Sequence, residues 1–229
     1  MSVIKTENLR KTYHQGDYEI HAVDDVSVEF EQGEFTAVVG PSGSGKTTLL
    51  NAIGGLDEPT SGKVIINNTD ITQLKGNQLI DFRMNNIGFV FQAYNLIPVL
   101  TAKENVGFVM LLQGRPESER ESRVEELLAA VGLGEIMNKR PNQMSGGQQQ
   151  RVAVARALAP KPQFILADEP TANLDSVSTS NLLDIMARLN KEEGITFIFS
   201  THDQRVIDRA SRVITMEDGK IISDERKVQ

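Results

Sequence analysis

The chain of 229 residues contains no cysteine. This absence excludes disulfide bonds, zinc–thiolate sites and a thiol nucleophile, and it fits a reducing compartment such as the cytosol. Runs of about 18 consecutive apolar residues are also missing, so we expect the chain not to cross a bilayer itself. Residues 1–7 lack the long apolar stretch of a signal peptide. Any role at a membrane would therefore require a membrane-embedded partner.

The charge of the chain argues against nucleic acid as a partner. Acidic residues outnumber basic ones by 31 to 24, which gives a formal net charge of −7. A protein that binds duplex DNA usually presents a basic face. Apolar residues at 39% and charged residues at 24% are typical of a globular domain, and 229 residues suffice for one large domain with a subdomain.

Short apolar runs predict buried strands. Such runs are typical of strands covered on both faces of a parallel sheet. Alternation over residues 26–30 predicts a half-exposed strand, and the turn residues 217–220 predict a hairpin. The apolar runs lie at 35–39, 87–91, 164–167 and 196–199.

Helical patterns lie between these strands. Apolar residues follow i, i+3, i+4, i+7 spacing from Val124 to Val131 and again from Leu182 to Leu189. The alternation predicts an α/β fold with a mainly parallel sheet, and the N-terminal segments predict a small antiparallel sheet. We expect a single domain over 1–229, with a core of 1–92 and 161–229 and an inserted helical subdomain at 93–160.

Residues 40–48 match G-x-x-x-x-G-K-[ST] between a predicted strand and a predicted helix. Glycines let backbone N–H groups turn inward around a phosphate, and the helix N-terminus adds partial positive charge. The lysine places a full charge between the β- and γ-phosphates, and Thr47 offers a hydroxyl to Mg²⁺. The predicted phosphate contacts are Gly40, Ser42, Gly43, Ser44, Gly45, Lys46, Thr47 and Thr48.

Two acids end the apolar strand at 164–167. Asp168 is predicted to reach Mg²⁺, and Glu169 to orient or deprotonate an attacking water. Alone, the pair is more typical of solvated acids at a strand end. The phosphate loop in the same chain favours the catalytic interpretation.

The segment 144–158 indicates which family of phosphate-loop proteins the chain resembles. Met144-Ser145-Gly146-Gly147-Gln148 opens a predicted helix, and it resembles the signature motif of ABC ATPases. Free amides and the helix dipole make such an end suitable for an anion, although alone the motif is equally typical of a capped helix that binds nothing. The family usually has leucine where this chain has Met144, a change that nearly conserves volume.

The resemblance covers essentially the whole chain and implies further site residues. Tyr13 matches the aromatic residue on which adenine stacks, and Gln92 matches the glutamine that touches magnesium and water. Asp175 lies in the loop that communicates across the dimer, and His202 matches the histidine that contacts the γ-phosphate.

The resemblance implies ATP and Mg²⁺ as cofactors and a head-to-tail homodimer with two composite sites. Each ATP would lie between the phosphate loop of one subunit and Ser145, Gly146, Gly147 and Gln148 of the other. The catalytic residues would be Glu169, His202, Gln92 and Lys46. The metal ligands would be Thr47, Gln92 and Asp168.

Several segments resemble the macrolide-export and lipoprotein-release type of ATPase. That type implies a cytoplasmic subunit held at the inner face of the cell membrane by a separate transmembrane permease. The alternatives are a soluble ABC ATPase without a transport role and an ATP-controlled scaffold for envelope or division proteins. The resembling segments are 16–17, 54–62, 89–92, 95–98 and 147–151.

Overall fold

The computed structural model describes residues 2–16 and 18–227, so Asp17, part of one of the segments compared above, lies outside the described residues. In chain order the strands are β1 (Ser2–Gln15), β2 (Tyr18–Val26), β3 (Glu29–Glu31), β4 (Phe35–Val39), β5 (Ser61–Ile66), β6 (Thr69–Asp70), β7 (Ile87–Phe91), β8 (Phe164–Asp168), β9 (Thr196–Ser200), β10 (Arg212–Glu217) and β11 (Lys220–Arg226). The α-helices are α1 (Lys46–Ile53), α2 (Asn77–Asn86), α3 (Ala102–Leu112), α4 (Glu117–Ala130), α5 (Gly146–Leu158), α6 (Ser176–Glu193) and α7 (Gln204–Arg209).

The central sheet has the order β11-β10-β4-β9-β8-β7. All its pairs are parallel except β10 with β11, which are antiparallel. The four apolar runs form β4, β7, β8 and β9, as predicted, and the mainly parallel sheet is confirmed. Because β4, β8 and β9 are parallel neighbours, the segments that follow them meet at one edge of the sheet.

A second, antiparallel sheet has the order β2-β1-β5-β6, with β3 also paired to β1. The single strand predicted over 26–30 is wrong, because β2 ends at Val26 and β3 begins at Glu29. The Thr6 side chain explains the break: its hydroxyl donates to the Val26 carbonyl oxygen and accepts from the Val28 N–H, both at 3.0 Å. The alternation in burial is nonetheless present, since Val26, Val28 and Phe30 are buried.

The central sheet is covered on both faces. One face, with Val38, Leu166 and Ile198, packs against α1 and the antiparallel sheet. The other face, with Phe35, Phe197 and others, packs against apolar residues of α3, α4, α5 and α6. The buried faces explain why these strands are apolar almost throughout.

The predicted hairpin joins β10 to β11. Asp218 and Gly219 form its turn with positive φ angles of 46° and 78°, as a two-residue hairpin turn requires. The N–H of Gly219 donates to the Ser44 carbonyl oxygen at 3.1 Å, and the Gly219 carbonyl oxygen accepts from the Asp24 N–H at 2.9 Å. The hairpin tip therefore connects the phosphate loop to the antiparallel sheet.

Residues 93–160 contain α3, α4 and α5, and no strand is assigned there. Their apolar residues share one core with the central sheet, and the division at 92 and 161 stays a prediction. Within 2–16 and 18–227, no helix is both long and apolar enough to cross a membrane.

Candidate functional site

The phosphate loop, residues 40–45, joins the end of β4 to the start of α1. Gly40 and Gly45 adopt positive φ angles of 151° and 98°, which residues with a Cβ rarely adopt. A Cβ on Gly40 would lie 2.1 Å from the Met216 carbonyl oxygen, and one on Gly45 would lie 1.9 Å from the Ala22 carbonyl oxygen. The loop is packed against backbone on two sides, so only glycine fits at these positions.

The first turn of α1 is suited to an anion. Its N-cap, Gly45, supplies no side-chain hydrogen bond to the first N–H groups, and these groups together with the helix dipole attract negative charge. The buried Lys46 ammonium donates to the carbonyl oxygens of Gly40 and Pro41, both at 2.9 Å. An ammonium has three hydrogens, so one remains for a ligand. The arrangement fits a phosphate group.

Thr47 and Asp168 meet beside this loop. The Thr47 hydroxyl donates to Asp168 Oδ1 at 2.9 Å, although the two residues are far apart in the chain. Hydroxyl and carboxylate oxygens are ligands that Mg²⁺ prefers, usually completed by substrate phosphates and water. In the part of the chain that the structure describes, no group of three or more His, Asp or Glu side chains could hold a metal. The pair therefore fits a metal that a phosphate ligand also coordinates.

Glu169 and His202 follow the neighbouring strands β8 and β9 and form a hydrogen-bonded pair. Glu169 adopts a positive φ of 45°, and its N–H donates to the Ser200 carbonyl oxygen at 2.8 Å. His202 Nδ1 lies 2.7 Å from Glu169 Oε1, and the Thr201 hydroxyl donates to Oε2 at 3.4 Å. The Glu169 side chain is 17% exposed and that of His202 is 75% exposed. A strained backbone that is held by several contacts is typical of functional sites.

One cavity of about 580 Å³ unites most of the predicted catalytic residues. The loop, Lys46 and Thr47 form one side, and Gln92, Glu169 and His202 form another. Ala22 and Ala172 also line it, and neither was predicted. The lining residues are Ala22, Gly40, Pro41, Ser42, Gly43, Gly45, Lys46, Thr47, Thr48, Gln92, Glu169, Ala172 and His202.

Tyr13 lies beside this cavity without lining it. Its hydroxyl donates to Asp57 Oδ2 at 2.5 Å, and its side chain remains 40% exposed. Thr48, which does line the cavity, lies close enough to the Tyr13 hydroxyl to act on its pKa, and it acts to lower it. Burial, and then the hydrogen bond to Asp57, raise the pKa of Tyr13. The ring is therefore a neutral phenol at neutral pH.

The signature segment lies outside the cavity, with Ser145 exposed and Gly146, Gly147 and Gln148 partly buried. Ser145 caps α5: its hydroxyl accepts from the Gln148 N–H at 3.3 Å, and Gln148 Oε1 accepts from the Ser145 N–H at 2.9 Å. None of the residues 145–148 lines the cavity of the same chain, while Ser145 itself is exposed. Met144 is buried in the apolar core, as expected for a replacement of leucine.

Asp175 caps α6 next to the signature segment. Its Oδ1 accepts from the N–H groups of Val177 and Ser178 at 3.0 and 2.9 Å, and its Oδ2 accepts from the Ser178 hydroxyl at 2.7 Å. These hydrogen bonds, led by that from the Ser178 N–H, lower the pKa of Asp175. A Cβ on Gly147 would lie 2.7 Å from Ser178 Oγ. The first turns of α5 and α6 are therefore neighbours on the surface.

The loop after β7 connects this surface to the cavity. Tyr94 and Asn95 adopt positive φ angles of 59° and 49°, and Arg156 of α5 donates to both of their carbonyl oxygens, at 2.9 and 2.5 Å. The Tyr94 hydroxyl donates to the Asn173 carbonyl oxygen at 3.5 Å, and Asn173 Nδ2 donates to the Gln92 carbonyl oxygen at 3.1 Å. Sequence reasoning missed Arg156, because a helical arginine alone gives no signal of its partners.

Asp203 is a second residue that sequence reasoning missed. Its carboxylate accepts from the Arg205 guanidinium and, at 2.8 Å, from the Thr171 hydroxyl. The hydrogen bond from Arg205, helped by that from Thr171, outweighs burial and lowers the pKa of Asp203 to about 2. Thr171 and Asp203 follow Glu169 and His202 closely in the chain, so this contact joins the two catalytic segments. Its only sequence signal is its place beside the predicted histidine.

Comparisons with known proteins agree with the motifs. The family described as "ABC transporter" matches residues 23–172. The macrolide export ATP-binding/permease protein MacB of Aggregatibacter actinomycetemcomitans is 45% identical over 229 residues, which make up 100% of this chain and 35% of that protein. The lipoprotein-releasing system ATP-binding protein LolD 1 of Rhodopseudomonas palustris is 47% identical over 96% of this chain and 98% of that protein.

A solved structure is also similar to this chain in both fold and sequence. The dimeric post-hydrolysis state of the ATP-binding cassette MJ0796 bound to ADP and Pi has a TM-score of 0.91 and 43% identity, covering 99% of each chain. The chain spans about a third of the length of the first relative and nearly all of the second. These findings confirm the predicted fold class and the resemblance to ABC ATPases.

Proposed function

We propose that this chain, which belongs to the ABC transporter family, binds and hydrolyses ATP as one half of a homodimer and thereby drives a permease of the macrolide-export or lipoprotein-release type. One observation carries the proposal. Lys46, Gln92, Glu169 and His202 line a single cavity, while the segment 145–148, which begins at the exposed Ser145, lies outside it. One chain thus supplies a site with one side missing and a surface able to complete the site of a second chain.

The phosphate loop and Lys46 bind the triphosphate. Backbone N–H groups of the loop and of the first turn of α1 point toward the phosphate oxygens, and the Lys46 ammonium neutralises charge on the β- and γ-phosphates. Mg²⁺, when bound, offsets the charge on the reacting phosphate oxygens, and the oxygens of Thr47, Asp168 and Gln92 are the ligands that would hold it. The pair of Thr47 and Asp168 at 2.9 Å supports this assignment.

Glu169 orients the attacking water and accepts its proton. Its carboxylate is held by His202 at 2.7 Å and by Thr201 at 3.4 Å, so its orientation is fixed before substrate arrives. A positioned general base contributes about 10²- to 10⁴-fold to a rate. His202 is more exposed than Glu169, and it extends from this pair toward the γ-phosphate.

The partner chain completes the site. Ser145, Gly146, Gly147 and Gln148 present the N-terminus of α5 to the γ-phosphate bound by the other subunit, and Asp175 lies beside them. Because charge stabilisation on the γ-phosphate then comes from both chains, hydrolysis requires the dimer. The ADP- and Pi-bound structure similar to this chain is itself dimeric, which supports the proposal.

The permease docks on the helical part, residues 93–160. A groove of about 380 Å³ between α3 and α4 is lined by apolar residues that include Phe108, Leu111 and Val124. Four glutamates against Lys103 and Arg120 give its lining a net negative charge. A short amphipathic helix with apolar anchors and basic flanks fits such a groove. In the apolar residues 93–101, which follow Gln92, Leu96 packs against the core, whereas Val99 is 70% exposed and available to the permease. This docking places the chain at the cytoplasmic face of the cell membrane.

The test uses Glu169→Gln in the full chain. We expect phosphate release to fall by at least about 100-fold, because the general base is lost, while ATP affinity measured by calorimetry stays unchanged. With ATP and Mg²⁺ the variant should elute as a dimer in size-exclusion chromatography, since ATP persists between the subunits.

Two controls make the test specific. Glu192→Gln replaces an exposed glutamate of α6 and should behave as the unmodified chain. Lys46→Ala should lose ATP binding and remain monomeric. A Glu169→Gln chain that hydrolyses ATP at the normal rate, or that stays monomeric with ATP, would contradict the proposal.

A further inference from the structure

A three-residue cluster stands at the edge of the cavity. The Tyr13 hydroxyl donates to Asp57 Oδ2 at 2.5 Å, and the Lys11 ammonium donates to Asp57 Oδ1, also at 2.5 Å. The same ammonium lies 5.0 Å from the centroid of the Tyr13 ring, within the range of a cation–π contact. One carboxylate thus binds both residues of β1, and the ring is held at its hydroxyl and on one face.

The segment that carries Asp57 is itself fixed. Lys11 also donates to the Glu58 carbonyl oxygen at 2.8 Å, and the Thr60 hydroxyl accepts from the Thr12 N–H at 3.0 Å. The Asp57 N–H donates to the Asn51 carbonyl oxygen, at the end of α1, at 3.2 Å. Since this segment is bonded to both β1 and α1, Asp57 holds Tyr13 in a fixed place relative to the phosphate loop.

The charges of the cluster are matched. Burial acts to raise the pKa of Asp57, but the hydrogen bonds from Lys11 and Tyr13 outweigh it and hold that pKa below its ordinary value. Asp57 is therefore a carboxylate and accepts both hydrogen bonds at neutral pH. The Lys11 side chain is only 14% exposed and that of Asp57 only 28%, so the pair is shielded from solvent more than a surface ion pair.

We propose that Asp57 and Lys11 are positioning residues that hold the Tyr13 ring as a preformed platform for the nucleobase of ATP. The inference rests on the proposed function, which is ATP binding in this cavity, and on the match between Tyr13 and the aromatic residue on which adenine stacks in the family. Thr48 lies beside the Tyr13 hydroxyl and lines the cavity, which places the platform next to the phosphate loop. A fixed ring loses little conformational freedom when a base stacks on it, so affinity gained from stacking is retained.

The experiment compares two ligands on the full chain by calorimetry: ATP, and inorganic tripolyphosphate, which has no base. Tyr13→Leu should weaken ATP binding by about 5- to 150-fold, the range of one base–aromatic stack. Asp57→Ala, Asp57→Asn and Lys11→Met should each weaken it by about 3- to 10-fold. Tripolyphosphate affinity should stay unchanged in all four variants, because no phosphate contact is altered.

A double-mutant cycle tests the contact directly. Tyr13→Phe removes only the hydroxyl and should weaken ATP binding as Asp57→Asn does, and the double variant should be no weaker than either single variant, because one interaction is lost only once. Asp81→Asn, an exposed aspartate of α2, is the matched control. Tyr13→Phe also keeps the test informative if Asp57→Ala fails to fold.

The outcomes separate this inference from the proposed function. Equal loss of ATP and tripolyphosphate binding in the Asp57 variants would overturn the inference, since the cluster would then act on the whole fold. Full ATP affinity in the Asp57 and Lys11 variants, or in Tyr13→Leu, would also overturn it. Lys46→Ala that binds both ligands normally would instead contradict the proposed function.

Discussion

At the scale of single residues, the phosphate loop depends on positions where a Cβ does not fit. Gly45 combines a left-handed φ of 98° with close approach to the Ala22 carbonyl oxygen. Gly43 also has a positive φ, of 82°, but open space surrounds the place of its Cβ. Alanine substitutions at the two positions therefore distinguish two energetic costs. One is the strain of a positive φ angle, and the other is a steric clash between the new Cβ and a neighbouring carbonyl oxygen.

We predict that Gly45→Ala lowers the free energy of unfolding by about 2–4 kcal/mol, because both strain and displacement of β2 contribute. Gly43→Ala, which carries strain alone, should lower it by about 1 kcal/mol. Urea unfolding monitored by circular dichroism measures both. Equal losses in the two variants would show that the Ala22 contact costs nothing.

Asp203 gives a prediction about pH. Its folded pKa of about 2 lies below the ordinary 3.8, so its stabilising effect is complete above about pH 4 and is lost as the pH falls toward 2. Asp203→Asn should therefore lower the unfolding free energy by about 1–2 kcal/mol at pH 7, and the difference from the unmodified chain should shrink as the pH falls below 4.

Urea unfolding of both chains at pH 7, 5, 4 and 3 checks this. Asp208→Asn, an exposed aspartate of the same helix, serves as the control. A difference that stays constant down to pH 3 would show that the charge of Asp203 contributes nothing.

Residues of the site were predictable where one short motif determines them. Lys46 and Thr47 follow from the phosphate loop, and Glu169 from the end of an apolar strand. Lys11 and Asp57 could not be predicted, because an ordinary lysine and an ordinary aspartate meet only after β1 and the segment behind α1 have folded together. Local sequence carries no signal for such contacts.

At the scale of elements, the capped N-termini of α3 and α5 have the same chemistry and different surroundings. Thr101 with Glu104 and Ser145 with Gln148 each form a capping box. Only Ser145 belongs to the segment that we propose to complete a partner's site. Comparing substitutions at Thr101 and Ser145 therefore distinguishes the effect of a lost N-cap from an effect on the dimer interface.

Ser145→Ala and Thr101→Ala should each lower the free energy of unfolding by about 1 kcal/mol, because each loses one N-cap. In the Glu169→Gln background, only Ser145→Ala should also weaken ATP-driven dimerisation, measured by analytical ultracentrifugation. If both variants dimerise normally, or if Thr101→Ala weakens the dimer equally, Ser145 has no special part in the interface.

Elements with a regular apolar pattern were predictable, and those without one were not. The apolar runs predicted β4, β7, β8 and β9, whereas α2 was missed because none of its residues is buried. The N-terminal antiparallel sheet was predicted, but not the bounds of β1: bulges shift the register of β1 with β2 and β5, so its buried residues do not alternate regularly. In both cases tertiary contacts, not local pattern, determine the element.

At the scale of the whole molecule, the site is divided between two copies of the chain. Lys46→Ala removes the phosphate contact and leaves the α5 N-terminus intact. Ser145→Asp keeps a good N-cap but places a negative charge where a phosphate would bind. Each variant alone should be nearly inactive, because Lys46→Ala does not bind ATP and stays monomeric, and both sites of a Ser145→Asp dimer carry the unfavourable charge.

Mixing the two variants should restore hydrolysis. Each mixed dimer has one complete site out of two, so at equal concentrations the rate should reach at most roughly half of normal. Phosphate release from the mixture and from each variant alone measures this. A mixture no more active than its components would contradict a composite site.

The link between the β10–β11 hairpin and the phosphate loop has a consequence for biosynthesis. The Met216 carbonyl oxygen packs against Gly40, and the Gly219 N–H bonds to Ser44. A nascent chain still on the ribosome, with these residues inside the exit tunnel, holds the whole nucleotide motif but lacks the two backbone contacts that shape it. Competence to capture the triphosphate thus arises only after residues 216–219 have left the exit tunnel, which delays nucleotide-driven pairing of subunits until both β4 and β10 can pack together.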